Sequence, residues 1–233
     1  MTSLLSSARD RARSEIRAEI LDEAREHLAA EGAAGLSLRA VARDLGLVSS
    51  AVYRYFANRD ALLTALIVDA YNSLGDAADA AIAAATTRPA RERWVAAAQA
   101  VRAWALAHPQ EYALLYGSPV PGYAAPQDTV VPGTRVSLAL VQLVRDAFDT
   151  GAVAFDLPTT LAPGAVTSAA LERLASQLTT TLPPPVLFAA LLAWTQLFGL
   201  VTFEVFGQTR GIVEDSAAFF HDAAVAMATG IGL

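Results

Sequence analysis

The 233 residues are 54% hydrophobic and 17% charged, far from a disordered composition and enough for a sizeable core. The absence of cysteine excludes disulfides, thiol catalysis and cysteine-based zinc sites, and fits a reducing, cytoplasmic setting. The net charge of −6 is unevenly spread: residues 1–60 set nine arginines against nine acids, residues 61–233 set eight arginines against 14 acids, and no lysine occurs. An acidic surface lies poorly against phosphate, so a nucleic-acid contact would fall to the first 60 residues.

No segment offers the roughly 18 uninterrupted apolar residues of a membrane span. Leu187 to Val205 comes closest, but Thr195, Gln196, Thr202 and Glu204 interrupt it. The opening MTSLLSSARDRARSEI lacks the apolar stretch of a signal peptide. From there the pattern predicts helix almost throughout, with no sustained period of two. Arg9 to Ala30 places Ile16, Ile20, Ala24 and Leu28 four apart, and Gly32 and Gly35 end that helix. Ser37 is the expected N-cap of Leu38–Leu45, Gly46 stops it, Ser49–Phe56 is a short helix, and Asn58 caps a long one from Arg59 to Ala85.

Pro89 opens the next helix, ending near Ala107; Pro109–Tyr116 is short; Gly117–Pro132 is a loop with four prolines. Gly133–Thr150 resumes as helix, Phe155–Pro163 is irregular, and Ala165–Leu178 is helical. The run Pro183-Pro184-Pro185 precedes two last helices, Val186–Phe206 and Val213–Thr229. The expected fold class is all-α, with a helix-turn-helix domain of three helices over residues 1–60 and a larger helical domain over residues 61–233.

The stretch LSLRAVARDLGLVSSAVYRYFANRDAL, residues 36–62, carries the chemistry. Val41 and Leu45 are four apart, as are Val52 and Phe56, so both pairs can face one core. Ser49, Ser50, Ala51, Tyr53, Arg54 and Tyr55 then point outward, small residues first and long donors after. Small residues let a backbone approach the major groove, and longer donors reach base edges and phosphates. The plainer reading is a helical hairpin with Tyr53 and Tyr55 as rim packing.

The run Ser37-Leu38-Arg39-Ala40-Val41-Ala42-Arg43-Asp44-Leu45-Gly46, then Ser49-Ser50-Ala51-Val52-Tyr53-Arg54-Tyr55-Phe56, then Asn58-Arg59-Asp60-Ala61-Leu62-Leu63, resembles the DNA-binding domain of the tetracycline-repressor (TetR) family. The resemblance is strongest over about residues 10–65. Trp194-Thr195-Gln196-Leu197-Phe198-Gly199 is similar to the signature of a TetR C-terminal subtype named for a Trp-His-Gly pattern, departing from it at the His position. The resemblance implies a homodimeric transcriptional regulator, usually a repressor released from a palindromic operator by a small molecule. It implies that Ser37, Tyr53, Tyr55 and Arg59 hold phosphates, that Ser49, Ser50, Ala51 and Arg54 face the groove, and that Arg39 reaches base edges or backbone. Val48 stands where many members have a polar turn residue, which removes one expected cap or phosphate contact. Arg9, Arg11 and Arg13 are either a minor-groove arm or a solvated one.

The remaining residues exceed what a reader needs, so they are expected to dimerise, to sense, or both. Val186–Phe206 and Val213–Thr229 are apolar over more than one stripe and must bury more than one. Phe188, Ala189, Ala193, Phe206, Ala217, Phe220 and Ala224 are the candidate dimer contacts; the alternative is a monomer core. An apolar pocket for a small-molecule effector would draw on Trp94, Trp104, Tyr112, Tyr116, Gln142, Phe148, Trp194 and Phe198 as a set, although each taken singly reads first as core packing.

An enzyme is the first rival, but no G-x-S-x-G, H-E-x-x-H or P-loop motif occurs. His27, His108 and His221 are far apart, His27 on a face that reads as exposed, so no metal site and no cofactor is expected. The second rival, a helical protein-interaction module without DNA binding, leaves the Tyr53-Arg54-Tyr55-Phe56 cluster unexplained.

Overall fold

The computed structural model describes residues 2–151 and 162–233, and side chains from Asp10 onward. Among the described residues every regular element is helical: α1 (Thr2–Gly35), α2 (Leu38–Asp44), α3 (Ser49–Tyr53), α4 (Arg59–Ala84), α5 (Ala90–Ala107), α6 (Pro109–Tyr116), α7 (Val130–Asp149), α8 (Ala165–Gln177), α9 (Pro184–Val205) and α10 (Ser216–Ile231). The all-α expectation holds. The irregular stretch expected from Phe155 lies outside the described residues as far as position 161.

Local chemistry explains the boundaries. Gly32, at φ 70°, kinks α1 near its end, and the helix continues to Gly35. The amide of Ala61 donates to Asn58 Oδ1 at 2.8 Å, so Asn58 caps α4 as its sequence suggests. Ser37 sits at the N-cap of α2 with extended backbone, but its hydroxyl makes no capping bond. Pro132, expected to end a loop, instead belongs to the first turn of α7, which starts at Val130, three residues before the expected Gly133. Pro132 is its third residue, where the amide has no intrahelical partner to lose. Asp215 caps α10, its carboxylate accepting from the amides of Ala217 and Ala218, so that helix starts three residues later than periodicity suggests.

The chain divides into two compact units: Met1–Asn72 with His108–Gly133, and Ser73–Ala107 with Thr134–Leu233. In the first, Ile20, Leu21 and Ala24 of α1, Leu38, Val41 and Ala42 of α2, Val52 and Phe56 around α3, and Leu62, Leu63 and Leu66 of α4 form one buried cluster. The fully buried valines and leucines each contribute about 1.5–3 kcal/mol by leaving water. That is how a five-residue α3, far too short to stand alone, is held. Arg25 of α1 ties this unit together, donating to Asp69 of α4 at 3.2 Å and pairing with Glu111 of α6 at 3.4 Å.

In the second unit α5 packs against α9 and α10, α10 against α9, and α8 against α9. Trp94, Val101, Leu187, Leu197, Val201, Ala224 and Ile231 are buried. The helix α9 is long and apolar enough, by length and composition, to cross a membrane, but its stripe from Val186 to Val201 is buried within this unit.

Candidate nucleic-acid interface

The helix α3 is positioned by two anchors and a turn. Val52 is fully buried and Phe56 nearly so, and the chain coils on past α3 as the Phe56 amide donates to the Val52 carbonyl at 3.1 Å. Gly46, at φ 68°, makes the turn after α2 that a Cβ would strain. Val48 occupies the N-cap of α3, where its aliphatic side chain supplies no capping acceptor. With Val52 and Phe56 inward, Ser50, Tyr53 and Arg54 are exposed, while Ser49 and Ala51 are half-buried at its edge. One exposed face therefore offers a hydroxyl, a phenol and a guanidinium.

The aromatic triplet is braced from α1. The Arg17 guanidinium lies 5.2 Å from the Phe56 ring centroid, and that of Arg13 lies 6.0 Å from the Tyr55 ring, within cation–π range. Tyr55 is half-buried against the core. These two arginines thus have a packing role; the side chain of Arg9 lies outside the described residues.

Arg59 occupies a more enclosed position than a free phosphate clamp would. Its Nη2 donates to the Ala33 carbonyl at 2.6 Å and its Nη1 lies 3.7 Å from Asp60. Arg39 and Arg43 are exposed on α2. Arg43 bonds the Asp44 carboxylate through Nε at 2.9 Å and Nη2 at 3.2 Å. The hydrogen bond from Arg43, with a further one from His27, holds the Asp44 carboxyl below the ordinary range. His27, which reads as exposed in sequence, is 8% exposed: it lies one residue from Leu28 on the buried face of α1 and reaches Asp44 at 2.9 Å.

The expected ligand residues are divided between the units. Tyr112 and Tyr116 belong to the first, where Tyr112 is fully buried, their ring centroids lie 5.0 Å apart, and Tyr71 meets Tyr116 edge-on at 6.1 Å. Burial, then the neighbouring Tyr71 and Tyr112, push the Tyr116 phenol well above its ordinary value. The same unit encloses a cavity of about 290 Å³ lined by Tyr71, Leu114, Leu115, Tyr123 and Thr129, and Tyr123 meets the Thr64 hydroxyl at 2.9 Å. In the second unit Trp94 is fully buried, Trp104 donates its Nε1 to Ser73 Oγ at 2.8 Å, and the Trp194 and Phe198 rings meet at a 57° tilt with centroids 5.9 Å apart. Phe148 is half-buried, and Gln142 is exposed, donating to Asp146 at 2.5 Å.

The expected dimer contacts also divide. Ala189, Ala193, Phe220 and Ala224 are buried inside the second unit, Phe188 is half-buried, and Phe206 and Ala217 are exposed. Beside them runs an apolar groove of about 610 Å³ along α9 and α10, lined by Leu192, Gln196, Gly199, Phe203, Ala226 and Gly230 among others. Ala189 and Ala193, both expected dimer contacts, line this groove, whereas Leu192, Gln196, Gly199 and Phe203 are not among those expected contacts. The four-residue step from Leu192 to Gln196 and from Gly199 to Phe203 could have revealed them, had the wholly apolar stripe one position away not drawn the assignment.

A family model described as "Bacterial regulatory proteins, tetR family" matches residues 20–66, and one described as "Tetracyclin repressor-like, C-terminal domain" matches residues 94–227. The chain is 43% identical over 198 residues to the HTH-type transcriptional regulator Rv1816 of Mycobacterium tuberculosis (strain ATCC 25618 / H37Rv), covering 84% of this chain and 83% of that one. Among solved structures it is similar to SCO4313, with a TM-score of 0.76, 36% identity, and coverage of 94% of this chain and 97% of that one. It also resembles a Rhodococcus sp. RHA1 protein of unknown function, with a TM-score of 0.68, 27% identity, and coverage of 93% and 95%.

Proposed function

Because the chain belongs to the tetracycline-repressor family of helix-turn-helix transcriptional regulators, we propose that it acts as a homodimeric repressor that a small apolar or aromatic ligand releases from a palindromic operator. DNA binding is the family's activity, and its members are regulators rather than enzymes. The observation that carries the reading of this site is the two-sidedness of α3: Val52 and Phe56 inward, Ser50, Tyr53 and Arg54 outward. Arg54 and Ser50 read base edges, Ser49 and Ala51 let the backbone approach the groove, and Ser37, Tyr53, Tyr55, Arg39 and Arg59 hold the phosphate backbone. For Arg59 this means presenting the guanidinium edge left after its bond to Ala33.

Two copies are needed to read two half-sites, and twofold symmetry pairs identical surfaces. The groove along α9 and α10 supports this pairing, with Leu192 and Phe203 exposed in its lining. Contiguous exposed apolar surface is a mark of interaction sites. The effector part of the reading rests on family membership and on the aromatic side chains gathered within each unit. Release then requires the ligand to bind the DNA-free conformation more tightly than the DNA-bound one, with α4, which runs on from the reader, as the moving element. Such a regulator works in the cytoplasm.

Competition between operators altered one base pair at a time tests the assignments within α3. Arg54→Ala should change which base is preferred, while Tyr53→Phe should weaken all sequences alike. An Arg54→Ala protein with wild-type affinity and preference would overturn the groove assignment.

A further inference from the structure

We propose that Glu23, His27 and Asp44 form a binding site for a first-row divalent transition metal ion such as Zn²⁺, fastening α1 to the end of α2. The site uses none of the outward face of α3, and the proposal concerns metal binding alone, so it stands or falls independently of the DNA reading. Glu23 and His27 are one turn apart on α1, which puts both side chains on one face. Asp44, the last residue of α2, meets them from the other side.

The distances suit a shared ion. His27 Nε2 lies 2.9 Å from Asp44 Oδ2 and 3.5 Å from Glu23 Oε1, and all three donor atoms fall within 4.8 Å of one another. Ligands held about 2.0–2.2 Å from a tetrahedral ion sit roughly 3.4 Å apart, so a small opening of the His27–Asp44 pair admits one. One imidazole and two carboxylates suit Zn²⁺, Mn²⁺, Fe²⁺ or Co²⁺ better than Ca²⁺ or Mg²⁺, which favour all-oxygen shells. A dication also neutralises the two carboxylates.

Surrounding groups complete the site. Arg43 Nε holds Asp44 Oδ1 at 2.9 Å, turning Oδ2 toward His27, and such outer hydrogen bonds orient metal-ligating carboxylates. Its Nη2, 3.2 Å from Oδ2, would give up that contact as the ion took the lone pair. His27 is more than nine-tenths buried, which fixes its ring, whereas Asp44 and Glu23 retain partial exposure and provide the entry path.

The test uses the full-length protein after chelator treatment. Zn²⁺ is titrated in by calorimetry and Co²⁺ by its visible absorption, while ring resonances of the three histidines are followed by NMR. The expected result is one ion per chain, with only the His27 resonance shifted, and at least about tenfold weaker binding in Asp44→Asn and Glu23→Gln. The wild-type histidine spectrum is decisive even if a variant fails to fold. No saturable binding of either ion, a shift at His108 or His221 instead of His27, or wild-type affinity in folded Asp44→Asn would overturn the site; a Glu23–His27–Asp44 hydrogen-bond cluster holding only a proton would give the first of these.

Discussion

Arg102 of α5 grips Glu204 of α9 with two hydrogen bonds, Nε to Oε2 at 2.6 Å and Nη2 to Oε1 at 2.5 Å, while the same guanidinium lies 5.4 Å from the Phe220 ring. The side chains are 19% and 15% exposed, so neither charge is well hydrated without the other. The bond to Glu204 raises the affinity of Arg102 for its proton. Arg102→Ala strands the carboxylate and should cost about 2 kcal/mol, below the 3–5 kcal/mol of a dry pair because some water reaches this one. Arg102→Met with Glu204→Leu should recover most of that loss, since apolar residues of similar volume replace buried pairs well. Urea midpoints of the three proteins check this.

Trp94 and Trp104, three turns apart on α5, differ in how their indole N–H groups are met. Trp104 donates to Ser73, whereas Trp94 Nε1 has no acceptor among the described residues although the side chain is fully buried. Trp94→Phe removes an unpaired donor as well as volume; Trp104→Phe breaks a bond. Trp94→Phe should therefore cost less, by about 1 kcal/mol, measured by thermal or urea unfolding.

Phe219 is 46% exposed and Phe220 3%, a difference that divides solvent-facing from core-facing sides of α10. On α9, Phe203 is 52% exposed beside the apolar groove. Phe203→Glu puts a charge on the proposed dimer face and should shift the protein to monomers with its helical content intact. Phe220→Glu should unfold it instead. Sedimentation velocity and circular dichroism together separate the two outcomes.

The Tyr71–Tyr112–Tyr116 cluster predicts an alkaline limit. Burial holds the Tyr116 and Tyr71 phenols above their ordinary values. Below about pH 10 folded and unfolded chains both keep these protons, and stability from the raised values is fully present. As pH rises from there toward the raised values, the unfolded chain releases protons that the folded one retains, so stability falls. Tyr116→Phe should flatten the decline above about pH 10 in urea titrations, relative to wild type.

The reader and the helical frame were legible because their signals are local: the Val41/Leu45 and Val52/Phe56 spacings, the glycine at 46, and the Asn58 cap. What depended on distant partners was not. Nothing near Arg59 announces the Ala33 carbonyl 26 residues away. His27 looked polar and therefore exposed, yet it shares the buried face of α1 with Ala24 and Leu28 and finds Asp44 across the turn. On α9 and α10 almost every position is apolar, so composition could not separate Phe219 from Phe220 or Leu192 from Ala193. Only packing breaks that tie.

Titrating a labelled palindromic duplex from the protein's own promoter region, at several salt concentrations, tests the central reading most directly. The prediction is two chains per duplex and an affinity that falls by about one power of salt concentration for each phosphate neutralised. Arg59→Ala, if stably folded, should make that slope shallower. A chain that bound this duplex no better than unrelated DNA at every salt concentration, or bound as one copy per palindrome, would contradict it.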